Sequence, residues 1–244
     1  VVWIHGGGFV SGAPRFIGSY ARILAGRGHP TVVVGYGLAP RVRYPQPISD
    51  VLAALAWLAA RRDEFGLTGR PLVLAGDSAG ALLAGQVAAA LTTPGYAAQA
   101  GIDIPPGVPA LAGLVLYCGP YQVSARTEGP FGTFMERVIT AHLGGGWRPG
   151  DRLPAPLDLP RHITPAFPPT FLSCGNGDPL LPQTLVLRDA LRSHGVQHSE
   201  LLHPAELSPP LGHVYQFDFA RSEAREALAA SLRFLAELGE PPRR

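Results

Sequence analysis

Gly76-Asp77-Ser78-Ala79-Gly80 has the spacing G-x-S-x-G. The apolar run Pro71–Ala75 precedes it and a small-residue helical pattern, Ala79–Leu91, follows, which is the strand-turn-helix context in which a serine can act as a nucleophile. On such a turn the Ser78 hydroxyl stands above the sheet, and the helix N-terminus beneath it favours developing negative charge. Taken alone, the pentapeptide equally suits a helix that must pack closely at its start. A second motif narrows the choice. His5-Gly6-Gly7-Gly8 directly follows a strand, and its glycines allow backbone N–H groups to turn towards an approaching oxygen, as an oxyanion hole requires. A phosphate cradle fits poorly, because Phe9, Val10 and Ser11 break G-x-G-x-x-G and no acidic residue stands about twenty residues on.

A serine nucleophile needs a base, and the base needs a carboxylate to orient it. Asp178 lies in Cys174-Gly175-Asn176-Gly177-Asp178-Pro179-Leu180, just beyond an apolar strand and therefore at its carboxyl end, where open α/β sheets bind ligands. His213 follows the last strand in Pro209-Pro210-Leu211-Gly212-His213 and precedes the C-terminal helix. His194, His198 and His203 compete with it. His194 ends a helix, where its charge suits the dipole, and His203, closing a strand, is the second choice of base. His194 and His198 have a metal-ligand spacing, but Gly195 breaks the helix that would align them and no third ligand stands nearby, so no metal is expected.

These residues need elements to carry them. Val1–His5, Thr31–Tyr36, Pro71–Ala75, Gly113–Cys118, Thr170–Cys174 and Ser199–His203 are short apolar runs closed by Gly or Pro, and each reads as a buried strand. Helical patterns lie between them: Ser49–Phe65, capped by Ser49, with Leu52, Leu55, Trp57 and Leu58 on its apolar face and Gly66 as its stop; Ala79–Leu91, with Gly80 and Gly85 keeping its face small against the sheet; Pro182–His194 before Gly195; and Ala220–Leu238 before Gly239 and Pro241-Pro242. Alternation of this kind predicts an α/β fold with a mostly parallel sheet covered by helices on both faces. We expect one domain, 1–244, in which the proline-rich stretch 120–169, with Gly144-Gly145-Gly146 and a single helical candidate at Phe131–Leu143, forms a cap or insertion over the site.

Composition removes several function classes. Of 244 residues 46% are apolar and 16% charged, which excludes a disordered tail or a coiled coil. All 20 cationic side chains are arginine, so the chain cannot supply a Schiff-base lysine, a P-loop lysine or a Ser-Lys dyad. The net charge is +2, and Arg61–Arg62 and Arg243–Arg244 are the only adjacent pairs, which leaves no nucleic-acid footprint. No apolar run approaches the ~18 residues of a membrane span. Cys118 and Cys174 lack metal or disulfide spacing and are expected as buried thiols. The chain opens inside a strand and is expected to lack its natural start; its location stays open, with the cytoplasm as the default.

Together the two glycine motifs, with Tyr36-Gly37-Leu38-Ala39-Pro40, Tyr44-Pro45, Asp50 and Trp57 in order between them, resemble the hormone-sensitive-lipase-like carboxylesterases of the α/β-hydrolase superfamily. The order Ser, Asp, His along the chain is also that of α/β-hydrolases. The resemblance implies a triad of Ser78, Asp178 and His213, oxyanion donors at Gly7, Gly8 and Ala79, and a DPL segment at Asp178-Pro179-Leu180. It implies hydrolysis of small carboxylic esters, with short to medium acyl chains, through an acyl-enzyme and without a cofactor. Arg41 stands where the family has glutamate and Gly37 where it has arginine, so local ion pairing differs. The N-terminal strands of the family are missing, which would leave Val32-Val33-Val34 as an open edge able to pair two copies into a homodimer. Two other readings stay open: an amide or formamide hydrolase using the same three residues, as in arylformamidases, and a non-catalytic small-ligand binder on the same scaffold.

Overall fold

The computed structural model describes residues 1–122, 129–144, 146–148, 151 and 153–239. Gly145, Pro241-Pro242 and the Arg243–Arg244 pair lie outside them. The six apolar runs become β1 (Val2–Ile4), β2 (Val32–Val34), β3 (Val73–Asp77), β4 (Gly113–Tyr117), β5 (Thr170–Cys174) and β6 (His198–Leu202). They form one sheet in the order β2-β1-β3-β4-β5-β6, and every pairing is parallel. Ile4 lies opposite Gly76, and Asp77 opposite Tyr117, so the carboxyl ends of the strands emerge along one rim.

The two-residue period of each strand sorts its side chains into two cores. Val2, Ile4, Leu74, Leu114, Leu116 and Leu172 point to one face, with α2 (Gln46–Ala59), α3 (Ala79–Thr92) and α6 (Leu181–Ser193) packed there. Trp3, Val73, Ala75, Val115, Tyr117 and Phe171 point to the other, against α1 (Pro14–Gly26) and α7 (Ser222–Gly239). Burial of one such Leu or Phe stabilises the fold by about 1.5–3 kcal/mol. The mid-sheet strands β3 and β4 are buried on both faces, which is why they read as continuous apolar runs. Helix α3 is buried on every side from Ala79 to Ala90.

Several details differ from the sequence expectation. Strand β3 ends at Asp77 rather than Ala75, so it carries the first half of the serine motif itself. Helix α2 starts at Gln46 after Pro45, with Pro47 in its first turn, where a missing N–H costs nothing; Ser49 is inside the helix and caps nothing. Trp57 is half exposed and lies under the Arg61 guanidinium, 4.6 Å from its ring centroid, while Leu52, Leu55 and Leu58 face the core. Gly85 does not face the sheet: a Cβ there would fall 2.3 Å from Leu159 Cδ2. The short helix α4 (Tyr96–Ala100) and α1 were not anticipated.

Within 120–169 the described residues hold α5 (Gly129–Leu143) and two short 3₁₀ turns, Ala155–Leu157 and Leu159–His162. Among the described residues no helix is long and apolar enough to cross a membrane.

Candidate active site

Ser78 is set by the geometry of the turn. It has φ 52° and ψ −122°, a left-handed conformation that side chains disfavour, and it is fixed there by its N–H donating to Tyr117 O at 2.8 Å. The motif glycines make the turn possible by their lack of side chain. A Cβ on Gly76 would fall 2.5 Å from the carbonyl of Gly80, and one on Gly80 would fall 2.1 Å from Ile4 O. Helix α3 therefore starts hard against β1.

His213 Nε2 lies 2.9 Å from Ser78 Oγ, and His213 Nδ1 lies 2.8 Å from Asp178 Oδ2. The Asp178 side chain is fully buried, whereas that of His213 is 35% exposed and faces the site. The other carboxylate oxygen of Asp178 accepts the Leu180 N–H at 2.8 Å. Burial alone would push Asp178 up, but the His213 hydrogen bond and charge, with the Leu180 N–H, outweigh it and hold the carboxyl below its usual value. For His213 burial pushes down, and the Asp178 hydrogen bond, seconded by the Cys118 contact, more than reverses it and raises the imidazole's affinity for a proton. A chain of this kind can take a proton from Ser78 at Nε2 while Asp178 fixes the proton on Nδ1.

The two loops that carry this pair are tied to each other. Asn176 accepts the Leu211 N–H at 2.8 Å through Oδ1 and donates to Pro204 O and Leu207 O through Nδ2, at 3.1 and 2.9 Å. On the far side of His213, Tyr215 Oη lies 3.0 Å from Ser173 Oγ, and Gln216 donates to the same oxygen at 3.0 Å. Cys118 closes the base of the site: its Sγ lies within 4.8 Å of a carboxylate oxygen of Asp178 and a ring nitrogen of His213, and burial pushes its thiol pKa well up. Sequence reasoning assigned nothing to Asn176, Ser173 or Gln216, and Cys118 only burial. The pairing of β4 with β5, which brings Cys118 and Ser173 to one spot, is a long-range fact.

Gly7 and Gly8 adopt positive φ, 120° and 61°, and the loop closes on itself through Val10 and Ser11 N–H donating to Gly7 O. Among the described residues the N–H groups of Gly7, Gly8 and Ala79 donate to no protein acceptor. All three residues line, with Ser78 and His213, a cavity of about 260 Å³ whose outer wall is Phe131, Phe134, Met135 and Val138 of α5. A cavity of about 320 Å³ at the opposite ends of the strands, near His29, Leu58 and Arg70, touches none of these groups. Among the competing histidines, His194 bonds to Ala190 O, His198 to Val196 O, and His203 packs edge-on against Tyr215; the structure brings none of them to Ser78.

With this fold and geometry goes a family. Residues 1–207 match the alpha/beta hydrolase fold family, and the chain belongs to it, in the hormone-sensitive-lipase-like branch that its glycine motifs resemble. It is 28% identical over 253 residues to an acetyl esterase of Salmonella paratyphi B, covering 99% of this chain and 73% of that protein. Among solved structures it is similar to esterase B from Lactobacillus Rhamnosis inhibited by a tributyrin phosphonate, with TM-score 0.81, 26% identity and coverage of 98% and 75% of the two chains. It is also similar to a hyperthermophilic esterase from the archaeon Pyrobaculum calidifontis, with TM-score 0.75, 25% identity and coverage of 96% and 76%.

Proposed function

We propose that this chain is a serine hydrolase that cleaves small carboxylic esters, with Ser78 as nucleophile, His213 as base, Asp178 as its orienting carboxylate and the N–H groups of Gly7, Gly8 and Ala79 as oxyanion donors. The observation that carries the reading is the continuous hydrogen-bond chain from Ser78 Oγ through both nitrogens of His213 to Asp178. His213 takes the Ser78 proton as Oγ attacks the ester carbonyl, and the oxyanion is held by the three N–H groups. Collapse expels the alcohol, which receives the proton from His213 and leaves an acyl group on Ser78. Water, deprotonated by the same imidazole, then attacks the acyl carbon and releases the acid.

The name of the Salmonella relative and the tributyrin phosphonate of the Lactobacillus structure support short-chain esters as substrates. The apolar wall of α5 over a cavity of about 260 Å³ suits a small acyl group in the same way, and we read 120–169 as the cap of a single catalytic domain. The outer edge of β2 pairs with no other strand among the described residues, and we propose that residues 1–244 by themselves pair there edge to edge; a monodisperse monomer in light scattering overturns this.

Turnover of p-nitrophenyl acetate tests the assignment. Ser78→Ala abolishes the acyl-enzyme burst and labelling by a fluorophosphonate; full activity in that variant sinks the reading. His213→Ala loses most of its rate and His203→Ala little. The opposite ranking identifies His203 as the base.

A further inference from the structure

Asp77, the second residue of the serine motif, is a buried carboxylate that none of the steps above uses. It sits at the carboxyl end of β3, beside β1. Its Oδ1 accepts the indole N–H of Trp3 at 2.9 Å and its Oδ2 accepts the backbone N–H of Gly6 at 3.0 Å. One carboxylate thus joins the nucleophile's own strand, the core of the neighbouring strand and the first peptide of the glycine loop. The approach is so close that Gly6 cannot carry a side chain: a Cβ there would lie 2.4 Å from Asp77 Oδ2.

The anchor on the core side is rigid. Trp3 is 1% exposed and is enclosed edge-on by Tyr20, Tyr117 and Phe217, with ring centroids 5.1, 5.4 and 6.1 Å away. The cage holds the indole plane, so the indole N–H holds the carboxylate, and the carboxylate sets the plane of the Gly6 peptide. Gly7 and Gly8 follow directly. With positive φ at both, their N–H directions depend on the orientation of the peptide that enters the turn.

On the reading of the site as an ester hydrolase, we propose that Asp77 and Trp3 are positioning residues for the reaction: through Gly6 they aim the Gly7 and Gly8 N–H groups at the place where the oxyanion forms next to Ser78. Neither residue is assigned contact with the reacting atoms. Their effect belongs to the transition state, because a trigonal ester carbonyl makes weaker use of the hole than a tetrahedral oxyanion.

Two substitutions separate this from a role in stability. Asp77→Asn leaves one acceptor where two donors point, and its amide N–H₂ faces one of them. Trp3→Phe keeps a ring in the cage and removes only the N–H. The variants are compared with wild type on p-nitrophenyl acetate well below their melting temperatures, with active sites counted by fluorophosphonate titration, and in their inhibition by phenylboronic acid, whose adduct on Ser78 is tetrahedral. Displacement of aligned groups by about 1 Å costs on the order of 10²-fold in rate, and Asp77→Asn is expected to lower kcat by about that factor. KM stays within about 3-fold, and boronate binding weakens in proportion to kcat. Trp3→Phe is expected to lose roughly 10-fold in both, and the double variant no more than Asp77→Asn alone, since both act through one peptide.

If Asp77→Asn does not fold, Trp3→Phe decides. Unchanged kcat and boronate affinity in a folded variant, or a loss confined to KM, overturns the proposal. The Ser78→Ala control distinguishes the two levels of inference: an active Ser78→Ala enzyme removes the hydrolase reading itself, whereas an inactive one alongside an unchanged Trp3→Phe removes only the positioning role.

Discussion

Replacing Asp178 by Asn is the sharpest probe of the hydrogen-bond chain, because the structure dictates how the new side chain must sit. The Leu180 N–H claims one oxygen of residue 178 at 2.8 Å, and an Asn will keep its only oxygen there. Its N–H₂ then faces His213 Nδ1, which must become an acceptor, and the proton moves to Nε2. In that tautomer Nε2 has no lone pair for the Ser78 hydroxyl 2.9 Å away. Loss of the orienting carboxylate in such a triad costs about 10⁴ in kcat, or roughly 5 kcal/mol at ~1.4 kcal/mol per decade. KM should change little, because the Asp178 side chain is fully buried and away from substrate. The pH profile should move as well. The carboxylate raises the proton affinity of His213 against the downward push of burial, so its removal shifts the acid limb of kcat/KM to lower pH. Steady-state and burst kinetics on p-nitrophenyl acetate from pH 5 to 9 give both quantities. A folded Asp178→Asn enzyme within tenfold of wild-type kcat refutes the tautomer argument.

Gly80→Ala places a methyl 2.1 Å from Ile4 O; α3 must move off β1, and we expect about 1–3 kcal/mol of destabilisation in urea titration together with a loss of kcat from the displaced Ser78. Phe134→Ala opens the α5 wall of the cavity, and the ratio of kcat/KM for hexanoate over acetate esters should rise by roughly 10-fold. His142 is fully buried and stacks on Phe9 with centroids 4.0 Å apart, and among the described residues neither ring nitrogen has a partner. Burial lowers its pKa from 6.5 to about 4, so neutral His142 contributes its full stability above pH 6.5. As the pH falls towards 4 the unfolded chain takes up a proton that the folded one refuses, and about 3 kcal/mol is lost. His142→Phe should remove that part of the acid sensitivity when urea midpoints at pH 7 and pH 4.5 are compared. The rise in His213 affinity has the opposite sign but is common to both proteins and cancels.

The parts of the site that were legible in the sequence are those written locally. Gly76 and Gly80 are there because Cβ atoms would collide across the turn they make, so the spacing alone encodes the turn. Asp178 and His213 each follow a strand that hydrophobic runs make visible, which puts both on the carboxyl rim. What was not legible depends on contacts between distant segments. Helix α1 follows Ala13 without a side-chain cap and has only Pro14 at its first position to mark its start, while its buried Ile17, Tyr20 and Leu24 hold it to the sheet. Asp77 carries no local sign of its role either, because Trp3 and Gly6 become its partners only when β1 pairs with β3. The start of α2 was misplaced at Ser49 because a capping residue stood near a helical pattern; the carboxylate of Asp50 instead accepts the Gly37 N–H at 2.8 Å, which ties α2 to the loop after β2.

The strain at Ser78 explains why so much of this chain is spent around one residue. A side chain at φ 52° costs on the order of 1–3 kcal/mol, and the turn keeps that conformation only because its surroundings leave no relaxed alternative. On one side Ser78 N–H is spent on Tyr117 O; on the other, α3 is buried all round and cannot unwind by a turn without exposing apolar surface. His213, the proposed base, is held by a different set of bonds, through Asn176 and Ser173. Both Ser78 and His213 are fixed to the same sheet: the Tyr117–Cys118 peptide accepts the Ser78 N–H through its oxygen and donates its own N–H to Ser173 O at 3.0 Å, and across the site the two groups face each other at the 2.9 Å contact between Oγ and Nε2. Because the Oγ–Nε2 distance depends on how two separately anchored groups sit on the sheet, a small shift of either is expected to lower the rate before it lowers the stability. The sheet then acts as a ruler: core substitutions that tilt β3 against β5 should appear in kcat while the melting temperature still looks normal.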